Sequence, residues 1–431
     1  MHILIKNTDV VNWNETISNV DVSIKDGLIE YVKKSQDRDE RGYDSVIDAK
    51  GKIVVPGLVN SHTHAGMTLL RNFAADIPLE EWLFNRIFLV EARLTNEDIY
   101  WGTMLGVAEM IKSGTTTFAD MYYHMDDVAR IVEKTGIRAN LCKSVLSLNK
   151  EGVGSISKDI DGAYRYFNEW NGRGNGRIKV YIEIHSAYIY DKESLCEAAK
   201  IARDLHTGIH IHVAETKKEQ DVCYSKYGMD AVNILNECGI FDVPVIAAHC
   251  VHLSDENIEL LRKKGVNVSH NITSNLKLGS GIARVVDMNK EGINISLGTD
   301  GCASNDNLNM FEEMHLAALV HKGLKCDPTV IKACDVVKMA TLNGAQALGF
   351  EKLGIIKEGN IADVIIIDVD GIHNTPRGDY DLGLVYSTQA QDVDTVIVDG
   401  KILMKNKQLL TIDEEMVKYK VREIRKRLSV Y

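Results

Sequence analysis

The chain has 431 residues, 45% hydrophobic and 26% charged, with a formal net charge of -11. These are the proportions of a globular protein, and the length accommodates one large α/β barrel with an appended domain. The acidic balance argues against a duplex-binding surface, which is usually basic, and no apolar stretch approaches the roughly 18 residues of a membrane span.

Residues 1–55 open with the runs HILIKNTDVV, NVDVSIKDGLIEYV and SVIDAKGKIVV. Apolar and polar residues alternate in each, and turn residues separate them, which predicts a small antiparallel sheet. The stretch from Met1 to Trp13 has no secretory apolar core. Residues 56–352 change character. Eight Val- and Ile-rich runs, each followed by a helical pattern, appear in order: VVPGLVNSHTH, GTTTFADM, IRANLCKSV, IKVYIEIHSA, GIHIHVAET, PVIAAHCVHL, VNVSHN and NISLGTDG. Eight βα units predict a (β/α)₈ barrel of the TIM type. An open doubly wound sheet has the same alternation, but it would gather its polar residues at one switch point. Here nearly every run ends in His, Asp, Glu, Ser or Asn, the pattern of a barrel with its site at the strand C-termini. Residues 353–431 return to alternation in GNIADVIIIDVD and DVDTVIVDGKILMKNKQLL, then carry helical spacing from Asp413. The two end segments have apolar faces that can bury each other as a β-sandwich. The eight cysteines include no CxxC pair and read as reduced thiols of a cytoplasmic protein.

His62 and His64 stand two apart at the end of the first barrel run, so a strand presents both on one side. His212 ends the fifth run and Asp300 the eighth. Three imidazoles and a carboxylate form a nitrogen-and-oxygen site that suits one zinc ion, with iron, manganese, nickel or cobalt as substitutes. An HxH pair alone is more often structural. Its coincidence with polar ends on two further runs favours the metal reading. His210 competes with His212 on the same face, but His212 is nearer the strand end and His210 reads as an interior layer residue. A binuclear site would need a carboxylated lysine at the fourth strand end, and Lys179 stands at that strand's start. The cytidine-type zinc deaminases carry a PCxxC that is absent here.

Glu215 follows His212 by three residues and can sit beside the metal without binding it. It reads equally as a proton carrier or as an acid favoured by a helix dipole. His249 ends the sixth run and can hold the attacking oxygen in place. His185 ends the fourth run and faces either substrate or the barrel wall. His252 reads as a loop residue, and His270 as support for a ligand.

PGLVNSHTHAGMTLLRN, SGTTTFADM, HVAET, AAHCVHL and LGTDGCASND together resemble the amidohydrolase superfamily. ADIPLEEWLFNRIFLVEARLT narrows the resemblance to its methylthioadenosine/S-adenosylhomocysteine deaminase family, which includes 5'-deoxyadenosine deaminases. The similarity covers nearly the whole chain. It implies one zinc bound by His62, His64, His212 and Asp300, with Asp300 also accepting a proton from water. It further implies that Glu215 relays a proton to the adenine ring and His249 orients the attacking oxygen. Glu91 would grip the ribose hydroxyls, although as an acid on a helical segment it also fits a solvated face. His185 would touch the substrate. The expected reaction is hydrolytic deamination of a small adenine nucleoside to its inosine analogue and ammonia, with no nucleic-acid or membrane partner. Barrel hydrolases of this kind form dimers or tetramers, and a homo-tetramer is the expectation.

One position departs from the family pattern. Members that handle S-adenosylhomocysteine well carry an Arg at the third strand end, where this chain has Lys143. Arg138 opens that strand and should point to the far end of the barrel, and the following NKEGVGSIS contains no Arg. Lys offers a point charge rather than a fork, so 5'-deoxyadenosine and methylthioadenosine are expected ahead of S-adenosylhomocysteine and adenosine. Trp82 and Phe84 wall the pocket or pack in the core. A guanine deaminase or triazine-type hydrolase is the nearest enzymatic alternative, and the EEWLF segment with Glu91 argues against it. A metal-free scaffold is disfavoured because the ligand set and Glu215 are all present.

Overall fold

The computed structural model describes residues 1–36, 39–148 and 156–429. Five strands come first: β1 (His2–Asn12), β2 (Glu15–Lys25), β3 (Leu28–Lys34), β4 (Ser45–Asp48) and β5 (Lys52–Pro56). Then β6 (Leu58–Thr63), β7 (Thr115–Met121) and β8 (Arg138–Ser144) follow, with helices between them. A short hairpin, β9 (Leu146–Leu148) with β10 (Ile156–Lys158), interrupts the series. Next come β11 (Ile178–Ser186), β12 (Ile209–Val213), β13 (Val245–His249), β14 (Asn267–His270) and β15 (Ile295–Leu297). The chain ends with β16 (Val364–Asp368), β17 (Val393–Val398), β18 (Lys401–Lys405), β19 (Gln408–Leu409) and a helix over Glu414–Leu428.

The eight predicted runs supply one parallel sheet, ordered β15-β14-β13-β12-β11-β8-β7-β6. Its first and last strands meet through other bonds. Ser61 Oγ donates to the Leu297 carbonyl at 2.8 Å, and the Asp300 amide donates to the His62 carbonyl at 3.0 Å. The second of these carries the eighth strand end directly to the first, which is where the candidate ligands lie.

The helices between strands start and stop on side-chain signals. Thr95 and Asp98 form a capping box at the start of Asn96–Lys112, and Gly136, at φ 89°, ends Met125–Thr135. The terminal helix packs on the first of these, with Lys112 and Glu414 paired at 2.8 Å.

The end segments differ from two separate sheets laid face to face. They join in one nine-stranded mixed sheet because β16 pairs antiparallel with β5. Its two faces bury different things, as period-2 side chains require. Val54, Val364, Ile366 and Ile397 enclose the small domain's own core with Ile3, Ile5 and Val22. Ile53, Ile365, Ile367 and Val396 face the barrel core instead. Arg138 does point to the far end, where it forms a buried two-pronged pair with Asp363 at 2.7 and 3.1 Å and ties the barrel floor to β16. Lys179 is also at the floor, bonded to the Gly349 carbonyl, so the fourth strand end offers no lysine for a second metal. All eight cysteines are free thiols. No helix among the described residues is long and apolar enough to cross a membrane.

Candidate active site

The C-terminal ends of the barrel strands converge on one cavity, lined by His64, His185, His212, His249, Glu215 and Asp300 among others. His62 is the last residue but one of β6. His64 falls just past the strand, at the start of the 3₁₀ turn Ala65–Leu70. Their rings stand edge to face at 4.9 Å.

Hydrogen bonds set the tautomers, assigned here from the network. His64 Nδ1 donates to the Met121 carbonyl and His212 Nδ1 to the His185 carbonyl, each at 2.6 Å. Both rings therefore present a bare Nε2, and those atoms face each other at 3.3 Å. His62 Nδ1 lies 2.9 Å from His210 Nε2, and His210 Nδ1 lies 3.4 Å from Cys142 Sγ. A proton on each Nδ1 satisfies that chain and leaves His62 Nε2 bare. This atom is buried and has no hydrogen-bond partner among the described residues. Asp300 Oδ1 approaches His62 Nε2 at 3.6 Å and His64 Nε2 at 3.3 Å.

Three bare imidazole nitrogens and a carboxylate aimed at one point repel one another until a cation joins them. The donor set therefore fits a single divalent ion of borderline softness. Each donor also has the outer partner that metal ligands keep. Besides those named, Ser274 Oγ donates to Asp300 Oδ2 at 2.6 Å. His249 also comes close to His62 and His212. Its Nδ1 donates to Asn275 Oδ1 at 2.8 Å, and its Nε2 faces Glu215 Oε2 at 3.8 Å. Glu215 is steadied from two sides. Ser280 Oγ donates to its Oε1 at 3.2 Å, and its own amide donates to buried Glu219 at 2.8 Å.

Glu91 does not lie on a solvated face. It is 8% exposed and accepts a 2.6 Å bond from Tyr122, while burial pushes its carboxyl up to about 7. It lines the cavity from the helical segment Phe88–Glu91, across a π-turn over Leu83–Ile87 from Trp82. Trp82 lines the cavity as well. Phe84 is absent from its lining and packs against Phe88. His252 bonds the Ser280 carbonyl at 2.8 Å in the loop, and His270 pairs with His321 at 3.1 Å, away from the cavity. Lys143 is not among the described lining residues either. Its ammonium pairs with Asp159 at 2.9 Å, and Asp159 also caps the helix Ile160–Trp170. Residues 149–155 of the segment read as lacking an Arg lie outside the described residues. Ser274, Asn275, Ser280 and Glu219 carried no motif. Only Glu219, an acid one helical turn beyond Glu215, had a position that marked it.

The chain belongs to the amidohydrolase family, whose model matches residues 53–403. It is 58% identical to a 5-methylthioadenosine/S-adenosylhomocysteine deaminase of Acetivibrio thermocellus over 99% of this chain and 100% of that protein. It is 47% identical to a 5'-deoxyadenosine deaminase of Methanosarcina mazei over 96% of this chain and 95% of that one. Among solved structures, an adenosine deaminase of Xanthomonas campestris with bound zinc superposes with a TM-score of 0.94 at 30% identity, covering 100% of this chain and 99% of that chain.

Proposed function

We propose that the protein hydrolyses the amino group from adenine nucleosides with modified 5' ends, giving the inosine analogue and ammonia. The observation that carries this reading is the meeting of three bare imidazole nitrogens with Asp300 in a cavity that also holds Glu215, His249 and Glu91. The names of relatives at 58% and 47% identity support the substrate class. His62, His64, His212 and Asp300 would hold one zinc ion, which would supply the acidity that lets a water act near neutral pH. Asp300 accepts the proton that water gives up. His249, fixed by Asn275, orients the oxygen toward C6 of the ring. Glu215 gives a proton to the neighbouring ring nitrogen as C6 accepts the oxygen, Asp300 passes the water proton to the amino group so that it leaves as ammonia, and the remaining hydroxyl proton returns to Glu215 as the carbonyl forms. Glu91 accepts hydrogen bonds from the ribose hydroxyls, and His185 closes the barrel side of the pocket. The protein works in the cytoplasm as a homo-tetramer, a location that its eight unpaired cysteines support.

The ranking of substrates follows from Lys143. Its ammonium pairs with Asp159, so among the described residues no cation at the third strand end is left to grip a carboxylate. With zinc supplied, the shift from adenine to hypoxanthine absorbance is measured on four nucleosides. 5'-Deoxyadenosine and methylthioadenosine should exceed S-adenosylhomocysteine in kcat/KM by about tenfold or more, the worth of one charge-assisted bond. S-adenosylhomocysteine in the lead would overturn the ranking. Inactivity on all four, adenosine included, would overturn the assigned reaction.

A further inference from the structure

We propose that Glu183 makes its side of the cavity a subsite for a positively charged 5'-substituent, so that nucleosides ending in a protonated amine are favoured over uncharged ones of the same size. The proposal rests on the reading of this cavity as an adenine-nucleoside site. Glu183 lies on β11 two residues before His185, and both line the cavity. Its Oε2 is buried and has no hydrogen-bond partner among the described residues. A buried carboxylate oxygen without a donor is costly to keep, and no structural bond of this fold explains it. Tyr123, Tyr188, Tyr190, Ser144 and Leu146 line the same cavity. Glu183 is close enough to the Tyr123 and Tyr190 phenols to oppose their ionisation.

The charge balance of the cavity points the same way. Glu91, Glu183, Glu215 and Asp300 all line it, and no Lys or Arg does among the described residues. Lys143 acts on Glu183 through space, but its ammonium is held by Asp159. Burial pushes the Glu183 carboxyl up to about 8, with Lys143 opposing and Asp120 adding to the rise. An ammonium brought by a ligand supplies the donor that Oε2 lacks and favours the ionised carboxylate that burial disfavours. Phenol rings beside a carboxylate are also what a cation seeks, because the ring faces add their own attraction. A ligand carboxylate gains nothing from these groups.

The test is a matched pair of substrates, 5'-aminopropylthio-5'-deoxyadenosine and its uncharged 5'-butylthio isostere. The zinc-loaded wild-type enzyme should favour the amine in kcat/KM by about tenfold or more. Glu183→Gln should bring the pair within about twofold, while leaving the isostere near its wild-type rate. A wild-type enzyme that treats the pair alike, or favours the isostere, overturns the proposal, and this arm needs no variant to fold. A variant that slows both substrates equally also overturns it, because Glu183 would then be serving the wall and not the charge. Deamination of the isostere without preference for the amine leaves the nucleoside reading standing. Loss of activity on both substrates in the wild type removes that reading instead.

Discussion

Glu215→Gln lowers kcat by about a thousandfold or more, within the range that general acid–base groups contribute. Gln keeps the shape and the bond from Ser280 Oγ, which lies 3.2 Å from Oε1. It cannot carry a proton to the ring nitrogen, so the carbon beside that nitrogen stays a poor electrophile. Glu215 makes none of the hydrogen bonds that orient the four proposed ligands, so the variant should retain zinc and its melting temperature. Rate, zinc content and thermal unfolding are measured on one preparation. A rate within tenfold of wild type would remove Glu215 from proton transfer. Loss of zinc with the rate would show that it supports the metal instead.

The second large effect belongs to Glu91. Its carboxyl is buried against Tyr122 and lines the cavity on the side away from β12 and β13. If it accepts both ribose hydroxyls, Glu91→Gln weakens two charge-assisted bonds, and kcat/KM falls by about a hundredfold. The sharper readout uses substrates that lack one hydroxyl. Each deoxygenated nucleoside should be poor on the wild-type enzyme and lose little more on the variant, because the same contacts are already gone. Fully additive losses would mean that Glu91 shapes the wall without touching the sugar.

The barrel was legible because its eight strands are largely buried and nearly every run carries a polar residue at or just past its end, a pattern local to a few residues. The histidine pair was equally local. The joining of the two end segments was not legible, because β5 and β16 pair across about 300 residues of intervening chain and both present apolar side chains to both faces. Each run is compatible with a sheet edge or with a facing layer. The place of Lys143 at the third strand end was legible, but its partner Asp159 lies beyond a loop whose path the sequence does not specify. Asn275 and Ser274 were invisible because serine and asparagine in a short helix carry no signal until Asp300 and His249 are placed beside them. Glu183 carries a signal of its own. It interrupts an apolar strand on the side that His185 faces, and an acid there needs either a partner or a ligand. Glu91 was reached through resemblance alone, since an acid on a helix is ordinarily solvated.

The most direct test removes the metal and returns it in measured amounts. Enzyme stripped by a chelator should have no deaminase activity on 5'-deoxyadenosine, and activity should rise linearly with added zinc to a plateau at one equivalent per chain. Product analysis at the plateau should find ammonia and the hypoxanthine nucleoside in equal amounts. Activity that survives complete stripping, or a plateau that needs two equivalents, would contradict a single ion held by His62, His64, His212 and Asp300.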